Sequence, residues 1–246
     1  MAYGRPVFFW READDGIDRS FTDRSAGHSV GPYAGLNLGG KVGDDPAVVE
    51  ENRHDLAAQV GVERDHLLFM DQCHGAQVAV VDGPYVGGAV PRVDALVTAR
   101  PGLALAALVA DCTPVLLWDN ESGVIAAVHS GRPGLIAGVV PAAVTAMRDL
   151  GAGQIRGVVG PSVCGRCYEV PEQMQADAAR VAPSSRARSW TGTTAIDIAT
   201  GVVDQLVSAG VEVGWVAGCT RETERLYSYR RDGSTGRFAG VIVRRP

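Results

Sequence analysis

Short apolar runs recur along the chain, each bounded by glycine, proline or aspartate, and their length predicts strands rather than helices. They fall at 7–10, 66–70, 77–81, 95–98, 103–109, 115–118 and 124–128, and again at 156–159, 213–217, 226–229 and 241–243. Helical spacing is rarer. One helix begins with Asp45 as N-cap and Pro46 at its first position, carries Val49, Leu56 and Val60 on one face, and stops at Gly61. Others are predicted from about 134 to 150, over 172–181, and over 198–209 before Gly210. The strand–helix–strand pattern of 124–160 predicts a parallel pair, because a helical crossover brings the second strand back in the same direction. The turn Asp232–Gly233, between 226–231 and the strand near Val241, predicts an antiparallel hairpin. No internal repeat or linker divides the chain. Residues 1–246 read as one mixed α/β domain.

Composition agrees with a packed core: 46% of residues are hydrophobic and 21% charged, which excludes disordered and collagen-like chains. The longest apolar run, 103–110, ends at Asp111, well short of the roughly 20 residues of a membrane-spanning helix. Residues 7–10 are followed at once by Arg11 and Glu12, so no signal peptide is read, and a soluble cytoplasmic protein is expected. Of 23 basic residues only Lys41 is a lysine, and the net charge is −5. Basic residues cluster no further than the pairs Arg230–Arg231 and Arg244–Arg245, which argues against nucleic acid as partner. The arginines supply forked donors suited to phosphate and carboxylate. Five cysteines without a secretory signal read as thiols or metal ligands rather than a disulfide framework.

His74, Cys112 and His129 each stand at a strand end or in the adjoining turn, where binding residues on a rigid scaffold usually sit. Two imidazoles and a thiolate make a zinc site with an open position, able to activate water or polarise an oxygen. Their separations of 38 and 17 residues match no compact zinc signature. On spacing alone, core or capping roles stay open for each. Cys164-Gly165-Arg166-Cys167 can be half a zinc site or a redox pair, but no second CxxC follows and Cys219 is alone. The pattern therefore reads as free thiols in a turn beside Tyr168-Glu169-Val170. Asp111 and Glu169 are candidate acid–base groups or turn-capping carboxylates. The glycine-rich stretch 31–40 lacks the ending of a phosphate-binding Walker loop.

Together the motifs resemble the YfiH family, also labelled laccase-domain or multicopper polyphenol oxidoreductase proteins. The resemblance runs from about Phe21 to Gly240 and rests on number and order. It is carried by Gly31–Gly39 with Leu36-Asn37-Leu38, then Val42-Gly43-Asp44-Asp45, Asn52-Arg53, Gln72–Gly75, Asp94–Thr98 and Ala110–Leu116. Val128–Gly131, Gly160-Pro161, Tyr168-Glu169-Val170 and Tyr227–Arg237 complete it.

The resemblance implies an α+β fold (mixed α/β), a four-layer α/β/β/α sandwich. It implies zinc held by His74, Cys112 and His129, with copper the less favoured metal. It further implies phosphorolysis of the purine nucleosides adenosine, inosine and methylthioadenosine, together with adenosine deamination. An amidohydrolase editing peptidoglycan precursors is the alternative. The expected partners are a nucleoside and phosphate, without nucleic acid or membrane, for a monomer or weak homo-oligomer. On this reading His74, Cys112, His129 and Asp111 are catalytic, with Asp111 orienting an imidazole. Arg53 pairs with phosphate, Asn37 orients the nucleoside, and Arg132 is a further binding candidate. Two departures stand out. The family's Gln-Val-His-Gly is here Gln72-Cys73-His74-Gly75. Its His-Ala-Gly-Trp-Arg-Gly is here His129-Ser130-Gly131-Arg132-Pro133-Gly134, which moves the arginine by one position. A true multicopper oxidase, with mononuclear and trinuclear copper, needs far more imidazoles than the five present. A single blue-copper site would need an axial methionine, for which Met70 is nearest in sequence.

Overall fold

The computed structural model describes residues 7–85 and 90–245. Its strands are β1 (Phe8–Asp14), β2 (Ile17–Thr22), β3 (Leu67–Leu68), β4 (Val78–Val80), β5 (Ala95–Thr98), β6 (Ala104–Val109) and β7 (Thr113–Trp118). They continue with β8 (Ile125–Ser130), β9 (Arg156–Val159), β10 (Arg186–Arg188), β11 (Thr194–Ile196), β12 (Glu212–Trp215) and β13 (Phe238–Arg244). The α-helices are α1 (Pro46–Val60), α2 (Arg132–Ala137), α3 (Val139–Asp149), α4 (Glu172–Val181), α5 (Ile198–Ser208) and the single turn α6 (Tyr229–Asp232).

Two sheets stack face to face, in the orders β1-β2-β13-β6-β3 and β12-β9-β7-β8-β5-β4. Alternation along the strands builds three apolar layers, because successive side chains point to opposite faces. In β6, Leu105 and Ala107 enter the layer between the sheets with Phe21, Leu116, Ile125 and Ile242. Ala104 and Ala106 turn the other way and meet Leu56, Ala57 and Val60 of α1. In β7, Val115 and Leu117 face the layer formed with α3 and α5, through Val140, Val144, Val202 and Leu206. A strand buried on both faces reads as a continuous apolar run, which explains why β6, β7 and β8 are so visible in the sequence. The result is the four-layer α/β/β/α sandwich.

Several expectations are corrected. The helix expected over 134–150 is two helices, α2 and α3, divided at Gly138, whose φ of 83° is left-handed; glycine adopts that conformation without a Cβ penalty. Strands β8 and β9 do not pair: both lie antiparallel to β7, which runs between them, and the parallel partner of β9 is β12. No hairpin forms at Asp232–Gly233. Ser228 instead caps α6 by accepting from the Arg231 N–H, and the Arg231 guanidinium donates to the carbonyls of Thr220, Thr223 and Leu226. The sequence pattern does not reveal β2, whose Ile-Asp-Arg-Ser-Phe-Thr is too polar to read as a strand, yet all six residues are buried. Its charges are paired: Asp18 with Arg11 and Arg245, at 2.5 and 2.8 Å, and Arg19 with Asp14 at 2.7 Å.

Candidate metal centre and cleft

His129 is the fifth residue of the buried strand β8, and the pairing of β5 with β8 sets Asp94 beside it. The Asp94 carboxylate accepts from His129 Nδ1 at 2.8 Å, which leaves Nε2 as the ring's remaining ligand atom. The same carboxylate accepts the N–H groups of Cys73, His74 and Gly75, at 3.3, 3.0 and 2.6 Å. His74 needs this support, since its φ of 59° lies in the left-handed region where a non-glycine residue is strained. Gln72 holds the start of the same loop by bonding both the N–H and the C=O of Leu108.

Cys112 follows β6 in a tight turn. Its Sγ lies 3.8 Å from His74 Nε2, and the His74 and His129 rings meet edge to face at 4.7 Å. Ligand atoms of His74, Cys112 and His129 all lie within 4.8 Å of one another. Gly131 permits this closeness: a Cβ there would come 2.9 Å from His74 Cδ2 and 3.1 Å from Cys112 Sγ. Burial alone would push the Cys112 thiol up, but the charge and hydrogen bonds of His129 and His74 hold it down at about 6. Burial would likewise lower His129, yet the Cys112 thiolate and Asp94 raise it to about 9. Each group thus favours the charged form of the other, and once the imidazole gives up its proton, two ring nitrogens and a thiolate make a donor set that matches zinc with a position to spare.

These residues line a cleft of about 370 Å³, large enough for a small ligand. Arg132, Arg230 and Arg237 bring positive charge to it, Tyr168 and Tyr229 bring aromatic faces, and Leu108, Val163 and Ile198 are apolar. Arg230 stacks on Tyr168 at 4.6 Å. Arg237 is largely buried, and burial lowers its pKa.

The other sequence candidates are placed differently. Asp111 lines the cleft, but its carboxylate accepts from Thr220 Oγ1, Ser228 Oγ and the Arg230 N–H, at 2.6, 2.7 and 2.6 Å. The imidazole-orienting contact expected of Asp111 belongs to Asp94. Asn37 and Arg53 do not line the cleft. Asn37 is fully buried, with its amide spent on Gly39, Asp44 and the Arg237 N–H. Arg53 donates twice to the Leu38 carbonyl and stacks on Phe69. The Glu169 carboxylate faces Thr191, and Met70 is buried between the sheets. Sequence reasoning missed the role of Asp94; its signals are its place in the family motif Asp94–Thr98 and just before an apolar strand, but its partner His129 is set by strand pairing, which is not written in one strand.

Comparisons of sequence and of structure find relatives along nearly the whole chain. The family described as multi-copper polyphenol oxidoreductase laccase matches residues 18–245. The chain is 54% identical over 235 residues to a purine nucleoside phosphorylase of Streptomyces coelicolor, covering 94% of this chain and 97% of that one. It is 47% identical to a purine nucleoside phosphorylase of Corynebacterium glutamicum, covering 92% and 94%. Among solved structures, it superposes on YfiH of Bacillus licheniformis with a TM-score of 0.85 at 28% identity, covering 92% of both chains. A Neisseria meningitidis protein gives a TM-score of 0.87 at 30% identity, covering 98% of this chain and all of that one. Matched along nearly its whole length in sequence and in fold, the chain belongs to the YfiH, or multi-copper polyphenol oxidoreductase laccase, family.

Proposed function

We propose that this protein is a zinc-dependent purine nucleoside phosphorylase acting on adenosine, inosine and methylthioadenosine, with adenosine deamination as a second activity. The observation that carries the reading is one cleft holding two imidazoles, a thiolate, three arginines and two tyrosines; the relatives' names support it. The copper-oxidase label fits poorly. The remaining histidines lie elsewhere, His28 on Asp55, His66 on Asp65 and His54 exposed on α1, and cannot complete a trinuclear cluster.

His74, Cys112 and His129 would hold the zinc, which supplies a Lewis acid for an oxygen of a bound reactant. The chain's own residues do the rest. Asp94 keeps the His129 ring in the tautomer that presents Nε2 to the cleft. Arg132, for which no internal hydrogen bond is formed among the described residues, can pair with phosphate through two parallel N–H donors. Tyr168, backed by Arg230, and Tyr229 at the mouth offer faces on which a purine stacks. In phosphorolysis a phosphate oxygen bonds to C1′ as the bond from C1′ to the base nitrogen breaks. The positive arginines hold the attacking anion while the aromatic faces hold the leaving base.

A product assay on adenosine with and without phosphate tests this. Phosphate-dependent formation of adenine and ribose 1-phosphate is expected, with inosine as the deamination product. Neither product from any nucleoside would favour an amidohydrolase instead.

Substitution places the anion site. Arg53 and Arg132 are both candidate anion ligands, and the lining of the cleft by Arg132 but not Arg53 supports Arg132. Arg132→Ala should raise the phosphate KM and lower kcat/KM by about 1.5–3 kcal/mol, the scale of a hydrogen bond to a charged group. Arg53→Lys should lower Tm, through loss of the Leu38 and Phe69 contacts, and leave turnover near that of the wild type. The reverse pattern would return the anion to Arg53.

A further inference from the structure

A second cluster of metal-ligating side chains lies outside the cleft. Cys164 and Cys167 are the two ends of a tight turn, closed by the N–H groups of Cys167 and Tyr168 donating to the Cys164 carbonyl at 2.9 and 3.1 Å. Cys219 and Glu222 end a second turn of the same form, in which the N–H groups of Glu222 and Thr223 donate to the Cys219 carbonyl at 3.1 and 2.9 Å. A parallel bridge between Ser162 and Cys219 brings the two turns together. The pattern is therefore a pair of x2 knuckles, Cys-x2-Cys and Cys-x2-Glu, with a carboxylate in the place of a fourth thiolate. Paired knuckles of this spacing are the usual frame of a structural zinc site.

We propose that Cys164, Cys167, Cys219 and Glu222 bind a second zinc ion, structural rather than catalytic. Their ligand atoms all lie within 4.8 Å of one another. Tetrahedral zinc, with Zn–S near 2.3 Å, needs sulfurs about 3.8 Å apart, so the cluster closes on the ion with side-chain shifts of about an ångström or less. Glu222 is already aimed at the sulfurs, since its Oε1 accepts from Trp190 Nε1 at 3.1 Å and lies 3.4 Å from Cys167 Sγ. An outer-sphere donor of this kind fixes the direction of a ligating carboxylate. Three sulfurs and an oxygen form a soft set that favours zinc over magnesium or calcium. Burial and the neighbouring sulfurs push the Cys164 and Cys167 thiols up. Zinc binds cysteine as thiolate, so its entry releases the thiol protons of the ligating cysteines. Cys164 and Cys219 border a small cleft of about 150 Å³ that also touches Asp197 and Trp215, which supplies an entry path.

The ion's place in the fold gives it a purpose. Tyr168, directly after Cys167, lines the catalytic cleft, and Thr220, directly after Cys219, donates to Asp111 on the cleft floor. Clamping the two knuckles fixes that wall. None of the four ligands lines the cleft itself, so the second ion does not depend on which reaction the cleft performs.

Metal analysis of protein expressed with zinc and purified without chelator tests it. Two zinc ions per chain are expected in the wild type, one in Cys112→Ala, one in Cys219→Ser, and none in the double variant. Because Cys219→Ser can fail to fold, Cys112→Ala is also titrated with cobalt after zinc removal. A stoichiometric thiolate-to-cobalt charge-transfer band is expected from the intact second cluster. One zinc in the wild type, with Cys164, Cys167 and Cys219 all reacting with a thiol reagent in the native protein, would overturn the proposal. A Cys164–Cys167 disulfide in the purified protein, found by mass spectrometry, would overturn it as well.

Discussion

Cys112→Ala should lose one zinc per chain and its phosphorolytic turnover together, while keeping the far-UV circular dichroism of the wild type. Cys112 is the one sulfur among the three cleft side chains proposed to hold the zinc, and His129 and His74 hold its pKa down at about 6. Without it two imidazoles remain, too few for a stable site. A Lewis acid at a reacting oxygen is worth several kcal/mol, so kcat/KM should fall by about a thousandfold or more. The fold should survive, since Cys112 lies in a turn after β6 and the removed sulfur borders the cleft. A variant that loses the metal yet turns over normally would place the chemistry elsewhere.

Asp94→Ala should be the most damaging single change to stability near the site. Asp94 is fully buried and binds His129, the Cys73 thiol and three successive backbone N–H groups. Removing one partner of a buried ion pair costs about 3–5 kcal/mol, and the His74 loop loses what holds its left-handed backbone. Losing the carboxylate behind a ligating histidine should also weaken zinc about 10–100-fold. The pH dependence of the Asp94–His129 contribution in the metal-free protein follows from their two shifts. Burial alone would raise Asp94, but the hydrogen bonds from His129, Cys73 and Gly75 hold it below the usual carboxylate range. Its stabilisation is complete above the unfolded value of about 3.9 and is lost as pH falls from there. His129 is raised to about 9. Its contribution is complete below about 6.5 and is lost as pH rises through 9. Urea unfolding of zinc-free wild type and variant should therefore differ most near pH 5, and less at pH 3 and at pH 9.5. A constant difference across that range would mean that the pair is not ionised in the folded protein.

What was legible in the chain follows from how locally each feature is encoded. Asp45, Pro46 and Gly61 bound α1 as expected, because a cap, a preset φ and a left-handed stop act within a turn of the helix. Strands β6, β7 and β8 stand out because burial on both faces removes the polar half of the alternation. Their places at strand ends single out His74, Cys112 and His129, the family pattern rather than spacing favours them as a set, and the fold brings these three side chains within reach of one another.

The rest depended on which segments meet. Strand β2 was invisible because its aspartate and arginine are neutralised by Arg11, Arg245 and Asp14, partners that a hydropathy pattern does not show. Arg53, read as an anion ligand, lies outside the cleft and donates to the Leu38 carbonyl, and the imidazole contact expected of Asp111 is made by Asp94 through the register of β5 on β8. The lone Cys219 acquired three companions only when the bridge at Ser162 laid one knuckle against the other. By itself the sequence determined the caps, the doubly buried strands and the acidic, lysine-poor surface, since these depend on neighbours along the chain. Only the tertiary structure decided strand order, the orientation of the His129 imidazole and the pairing of the two knuckles. Those depend on contacts between residues tens of positions apart, and a local pattern carries no record of them.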